Sequence, residues 1–195
     1  MTRRPRLPQA YSTPGLLWRP LALWPRAIRP PLALQHWLTD PGSLTARLIK
    51  KSTGKFEVEI VRQFIGRASR NECEVLAIRM SDLVMIREVI LKGNNQPWVF
   101  ARSLLPLASL TGELRHLRKQ RTRPLGAFLF SQSHLVRSPI AVAAIQRNHC
   151  YVPSTLAESE LLWGRRSIFS LHGKHLLVSE VFLPDFVASL ALEQA

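Results

Sequence analysis

A single α+β domain, built as an antiparallel sheet of about six strands with helices packed on it, is the fold class this sequence predicts. Alternating apolar and polar runs come in pairs joined by short turns, as in β-hairpins. Stretches of helical period separate those pairs, which favours segregated helices over a repeating strand–helix unit. At 195 residues the chain is long enough to bury one substantial core and short for two.

The elements follow in chain order. Residues 1–31 hold half of the prolines, which excludes a long helix or central strand and predicts an irregular arm with Leu, Trp and Tyr available for packing. A main domain over 32–184 is expected next. LALQHWL predicts a short helix ended by Asp40-Pro41-Gly42, and Ser43 is a suitable N-cap for a second helix, LTARLIKKS, closed by Gly54.

From residue 55 the period becomes two. In KFEVEIVRQF the residues Phe56, Val58, Ile60 and Phe64 are expected on one face with Arg62 among them. LVMIREVIL and PWVFARSLLP flank a Gly-Asn-Asn turn and predict a hairpin, with Trp98, Phe100, Arg102 and Leu104 sharing a face. Residues 107–130 return to a helical pattern, with Thr111 near one helix start and Pro124 in the first turn of another. Residues 138–162 read as helical or irregular, with Thr155 and Glu158 at capping-box spacing. A final hairpin runs from SIFSL through HGKH to LLVSEVFLP, and a helical C-terminal tail is expected over 185–195.

Composition limits the function. No apolar run approaches the roughly 18–20 residues that span a bilayer, and the basic N-terminus lacks the apolar core of a secretory signal. Two cysteines without paired spacing give neither a disulfide framework nor a zinc site, and His172 and His175 flank a turn; no metal is expected. The cytoplasm is the expected compartment. The formal charge of +14 is concentrated in residues 1–39, which carry six arginines and no acidic residue, and in 115–123. Such charge suits a solvated tail and helix face, steering of an anionic metabolite, or peripheral contact with an anionic membrane. With no nucleic-acid motif and the strand aromatics on presumed core faces, nucleic acid is not an expected partner.

Candidate site residues are ionisable groups at positions where alternation calls for apolar ones. Arg87 shares its face with Met85 and Val89, and Glu180 shares its face with Val178 and Phe182. Burying charge costs free energy unless a partner or ligand compensates. Two readings of the pair stand. Glu180 could be a structural salt-bridge partner of Arg87, or Arg87 could hold a ligand carboxylate while Glu180 accepts a hydrogen bond from a hydroxyl at the other end. Glu88 cannot neutralise Arg87, because neighbours on a strand point to opposite faces. Around Leu125-Gly126 the start of a helix offers amide N–H groups and a positive dipole end that can also hold a carboxylate.

The order MIREVIL, hairpin, PWVFARSLLP, PLGAFLF, LLWGRRS and a hairpin ending LLVSEVFLP resembles the chorismate lyase family over roughly residues 33–184. The WGRRS segment and the REVIL-hairpin-PW-AR order carry the specificity. The resemblance implies the chorismate-lyase fold and conversion of chorismate to 4-hydroxybenzoate and pyruvate for ubiquinone synthesis, without a cofactor. It implies ligand contacts at Arg87, at Leu125 through its backbone, and at Glu180. Leu44 stands where the family commonly has methionine, a change close in volume. The stretch from Arg137 to Trp163 is longer than the family pattern. For the pyruvyl carboxylate the candidate cations are Arg102, Arg165 and Arg166, with Arg102 preferred because it is expected beside Trp98 and Phe100. The substrate-binding set is therefore Arg87, Leu125, Glu180, Leu44 and Arg102, with Arg87 and Glu180 catalytic. A monomer is expected. The alternative is a non-catalytic domain of the same fold that binds an aromatic acid as an effector.

Overall fold

In the computed structural model, which describes residues 16–119, 122–157 and 159–192, seven strands form one antiparallel sheet. They are β1 (Phe56–Arg67), β2 (Leu83–Gly93), β3 (Gln96–Pro106), β4 (Val136–Arg137), β5 (Ala141–Gln146), β6 (Leu161–Leu171) and β7 (Lys174–Phe182). Across the sheet the order is β1-β2-β3-β7-β6-β4, and β5 also pairs with β6. The helices are α1 (Leu32–Thr39), α2 (Leu44–Lys51), α3 (Arg70–Leu76), α4 (Leu125–Phe130) and α5 (Pro184–Leu192), with 3₁₀ helices at Leu21–Leu23, Arg26–Ile28, Gly112–Lys119 and Arg147–His149.

Both hairpins turn on two residues with positive φ: Asn94 and Asn95 between β2 and β3, His172 and Gly173 between β6 and β7. That conformation matches the twist of the strands it joins. Ser43 caps α2 by accepting from the Ala46 amide. Pro124 stands at the N-cap of α4, one place before the expected first turn. The unforeseen helix α3 starts with a capping box, Ser69 and Glu72 each bonding the other's backbone.

Two bulges reassign faces. In β1 the register slips between Ile60 and Arg62. Phe56, Val58 and Ile60 therefore join one core cluster, while Phe64 packs with Ile86 and Leu104 on the other side. In β3 the slip at Trp98 separates it from Phe100: Trp98 packs on Phe186, whereas Phe100 lies with Ile145 and Val181. The Trp98 ring lies where a Cβ on Gly93 would fall, 2.1 Å from the nearest ring atom, so glycine is required there.

The front face of the sheet is covered by α1, α2, α4 and α5, the back face by α3 and the 150–157 segment. The segment expected to be helical or irregular contains β5, held edge to edge by β6. Residues 16–24 wrap this edge. Leu16 and Trp18 pack on the back cluster, Arg19 exchanges two backbone hydrogen bonds with Val142, and Trp24 enters the front cluster with its Nε1 donating to the Val142 carbonyl. An edge that could recruit another strand is thereby covered. Glu158 of the expected capping pair, residues 1–15 of the arm and the last three residues of the tail lie outside the described residues.

Candidate active site

The front face carries a narrow pocket whose envelope, open solvent included, is about 510 Å³. Its floor is the middle of the sheet: Arg87, Val89 and Leu91 from β2, Ala101 and Ser103 from β3, Val178 and Glu180 from β7, Arg165 and Phe169 from β6, and Arg137 from β4. Leu44 and Thr45 of α2 and Leu125, Gly126 and Leu129 of α4 cover it. The two covering helices touch, since a Cβ on Gly126 would stand 3.0 Å from the Thr45 hydroxyl.

Register fixes the spacing of the charged groups. Arg87 is opposite Ser103, which is opposite Val178; Glu180 is opposite Ala101 and Arg165. Two strands across and two residues along put the Arg87 and Glu180 Cα atoms roughly 12 Å apart on one face. The Arg87 guanidinium donates to the Arg123 carbonyl at 3.2 Å, and burial pulls its pKa down from the usual arginine value. Glu180 is held by Arg165, whose Nε donates to Oε2 at 2.7 Å. Of the two readings of Arg87 and Glu180, the salt-bridge one gives way: the carboxylate pairs with Arg165, directly across β6 and β7. Arg165 also donates to the carbonyls of Trp37 (2.7 Å) and Asp40 (2.9 Å), tying the end of α1 to the sheet.

Leu44 and Leu125 are buried and line the void, and the first amides of α4 have no acceptor within the helix. Arg102 does not belong to this group. It lies on the back face, bonded to Glu72 at 2.8 and 3.2 Å and to Glu88, which also accepts from Arg62. The Trp98 bulge explains the misplacement, because Trp98 swings to the front while Arg102 stays behind. Arg166 is on the back face as well, donating to Asn71 Oδ1 at 2.6 Å and stacking on Trp18.

Arg137, Thr45 and Ser103 line the void without having been singled out from the sequence. Arg137 sits in a two-residue strand amid Ser and Pro, where no alternation can be read. Its Nε donates to the Ser167 hydroxyl at 3.0 Å and its Nη1 to the Pro41 carbonyl at 2.7 Å. Burial, then the neighbouring Arg165 charge, lowers its pKa to about 10, so it remains a cation at neutral pH. Three guanidinium groups and one carboxylate leave the lining with an excess of two positive charges, suited to a small dianion. Among the described residues no group of three or more His, Cys, Asp or Glu is arranged to hold a metal, and no helix is long and apolar enough to cross a membrane.

Comparison with solved structures supports the fold alone. The effector domain of PhnF from Mycobacterium smegmatis aligns over 74% of this chain and 90% of its own, with a TM-score of 0.53 at 15% identity. The C-terminal domain of the histidine utilization repressor from Pseudomonas syringae pv. tomato gives 0.53 at 13% identity, over 67% and 92%. Sequence relatives are much nearer. A probable chorismate pyruvate-lyase of Aromatoleum aromaticum is 40% identical over 82% of this chain and 89% of its own length. Another from Azoarcus sp. is 43% identical over 77% and 84%. The model of the chorismate lyase family matches residues 18–189, reaching further into the arm and the C-terminal helix than the 33–184 expected. By that match and those relatives, the chain belongs to the chorismate lyase family.

Proposed function

We propose that this protein is a chorismate pyruvate-lyase, a carbon–oxygen lyase that converts chorismate to 4-hydroxybenzoate and pyruvate. The observation that carries the reading is the buried front-face void, in which Arg87 and the start of α4 lie toward one end and Glu180 with Arg165 toward the other. In this reading Arg87 and the Leu125 N–H hold the ring carboxylate, and Glu180 engages the ring hydroxyl. Leu44 presses on the apolar ring.

The reaction balances internally. The hydroxyl-bearing ring carbon gives up its hydrogen as a proton, and that electron pair completes the aromatic ring. The neighbouring ring carbon–oxygen bond breaks, its pair leaving on the enolpyruvate oxygen, and one proton returned to the enolpyruvate yields pyruvate. Aromatisation supplies the driving force, so the protein's task is positioning and stabilising the departing anion. The lining is largely withdrawn from solvent, and α2 and α4 form the cover past which substrate enters and product leaves. Tight retention of 4-hydroxybenzoate follows.

Mixing the purified protein with chorismate tests this. Equimolar 4-hydroxybenzoate, followed by ultraviolet absorbance, and pyruvate are the expected products, with progress curves slowing as 4-hydroxybenzoate accumulates. Binding of 4-hydroxybenzoate without turnover of chorismate would instead make the chain an effector-binding domain.

The rest of the proposal concerns setting: a monomer in the cytoplasm whose product enters ubiquinone synthesis. The basic arm supports peripheral contact with anionic lipid, since Leu23, Ile28 and Leu32 are exposed beside an exposed Arg26, and apolar insertion plus charge is the combination that holds proteins on membranes. Co-sedimentation with phosphatidylglycerol vesicles at low salt, abolished at 0.5 M salt or with phosphatidylcholine alone, is the expected result. No sedimentation at low salt would remove this part of the proposal.

A further inference from the structure

Chorismate carries a second carboxylate, on the enolpyruvyl side chain, which 4-hydroxybenzoate lacks. The proposed contacts for the ring leave that group without a cation, and its ether is attached next to the hydroxyl-bearing carbon, on the Glu180 side of the void. Two arginines lie on that side. Arg165 has its Nε on Glu180 and its Nη1 on two main-chain carbonyls. Arg137 differs in kind. Its partners are all neutral: the Ser167 hydroxyl through Nε, and through Nη1 the carbonyls of Pro41, Gly42 (3.3 Å) and Asp40 (3.4 Å). Among the described residues no carboxylate is in salt-bridge contact with it, and its Nη2 donates no hydrogen bond.

We infer that Arg137 is the binding residue for the enolpyruvyl carboxylate and so distinguishes substrate from aromatic product. The inference rests on the lyase reading. Neutral partners on Nε and Nη1 fix the plane of the guanidinium, the Glu180 and Asp40 charges act on it only without direct contact, and a fixed fork with a free Nη2 suits a carboxylate. Partial burial strengthens the attraction, and the repulsive Arg165 beside it makes an anion between the two more favourable. Once the carbon–oxygen bond has broken, this contact belongs to pyruvate alone.

A structural role predicts something else. Arg137 anchors the 40–42 loop, which leads directly into Leu44 and Thr45, so a purely structural residue would affect every ligand under that cover. The test compares Arg137→Gln and Arg137→Lys with the unaltered protein, measuring kcat/KM for chorismate and the Kd of 4-hydroxybenzoate. The expected result for Arg137→Gln is a loss in kcat/KM of roughly thirtyfold or more, with the 4-hydroxybenzoate Kd within about twofold. Arg137→Lys keeps the charge but not the fork and should recover part of the loss. Equal weakening of substrate and product, or unchanged kcat/KM in a folded Arg137→Gln, would overturn the assignment. If Arg137→Gln does not fold, Arg137→Lys decides: a loss confined to chorismate supports the role, a loss shared by both ligands overturns it. Absence of turnover in the unaltered protein would refute the lyase reading itself and is recognisable as such.

Discussion

Replacing Arg87 with alanine is expected to lower kcat/KM for chorismate at least about a hundredfold while the protein still folds. The activity loss follows from removing a desolvated, bidentate-capable cation from the ring carboxylate, an interaction that typically supplies about 2–4 kcal/mol to the transition state. Survival of the fold follows from the direction of the Arg87 pKa. Burial lowers it, so the folded state disfavours the charge, and a neutral residue removes that unfavourable contribution together with the bond to the Arg123 carbonyl. Steady-state kinetics with a thermal melt on the same sample checks both halves. Near-normal kinetics in the variant would remove Arg87 from the site.

The reverse pattern is expected for Arg102→Ala. Arg102, Glu72 and Glu88 are almost wholly buried on the back face, and the alanine variant leaves two carboxylates facing each other without their central cation. Breaking such a network from one side costs about 3–5 kcal/mol. For a chain of this size the melting temperature should fall by roughly 10 °C or more. Burial by itself would raise the Glu72 pKa, but the Arg102 charge and hydrogen bonds, with the Ser69 amide, bring it below its ordinary 4.5. The Glu72 contribution to stability is therefore complete above pH 4.5 and lost as pH falls through the lower folded value. Without Arg102 burial dominates and the sign reverses, so protonating Glu72 relieves the variant. The stability difference between the two proteins should narrow as pH falls through the raised Glu72 pKa of the variant and then the lowered one of the unaltered protein. A constant difference from pH 7 to pH 4, measured by urea unfolding, would mean that the network is not what Arg102 holds.

Arg87 and Arg102 also mark how far the sequence could be read. Arg87 shares the face of Met85 and Val89, as its alternation predicts, because β2 is regular where it matters, and the paired alternation around Asn94-Asn95 makes the hairpin legible. The same held for β6 and β7, which put Glu180 among Val178 and Phe182. Arg102 went wrong through one extra residue. Period two counted from Trp98 puts Arg102 on the wrong face, since the bulge at Trp98 is determined by the ring's fit over Gly93 and against Phe186, which are tertiary contacts. The slip at Val61 moves Phe64 off the face of Ile60 in the same way.

Short elements were the other loss. AVAAIQ is rich in alanine and has no alternation to distinguish a strand, and it becomes β5 because β6 offers it an edge. Arg137 occupies a strand of two residues, whose partner is fixed only when Phe169 is in place. Arg165 was within reach, as one of three candidate cations. What singles it out is its position directly opposite Glu180, a register that depends on the length of the β6–β7 turn. Local period thus revealed the floor of the site, while its second cationic pole came from pairing between distant segments.

Calorimetric titration of the protein with 4-hydroxybenzoate, benzoate and 4-hydroxybenzamide tests most directly whether an aromatic acid is held at both ends. Benzoate lacks the hydroxyl meant for Glu180, and the benzamide lacks the charge meant for Arg87 and the Leu125 amide. Each is expected to bind at least about tenfold more weakly than 4-hydroxybenzoate, because each forfeits one of the two polar contacts proposed to hold the ring. Affinities for all three within about twofold of one another would contradict recognition at both poles.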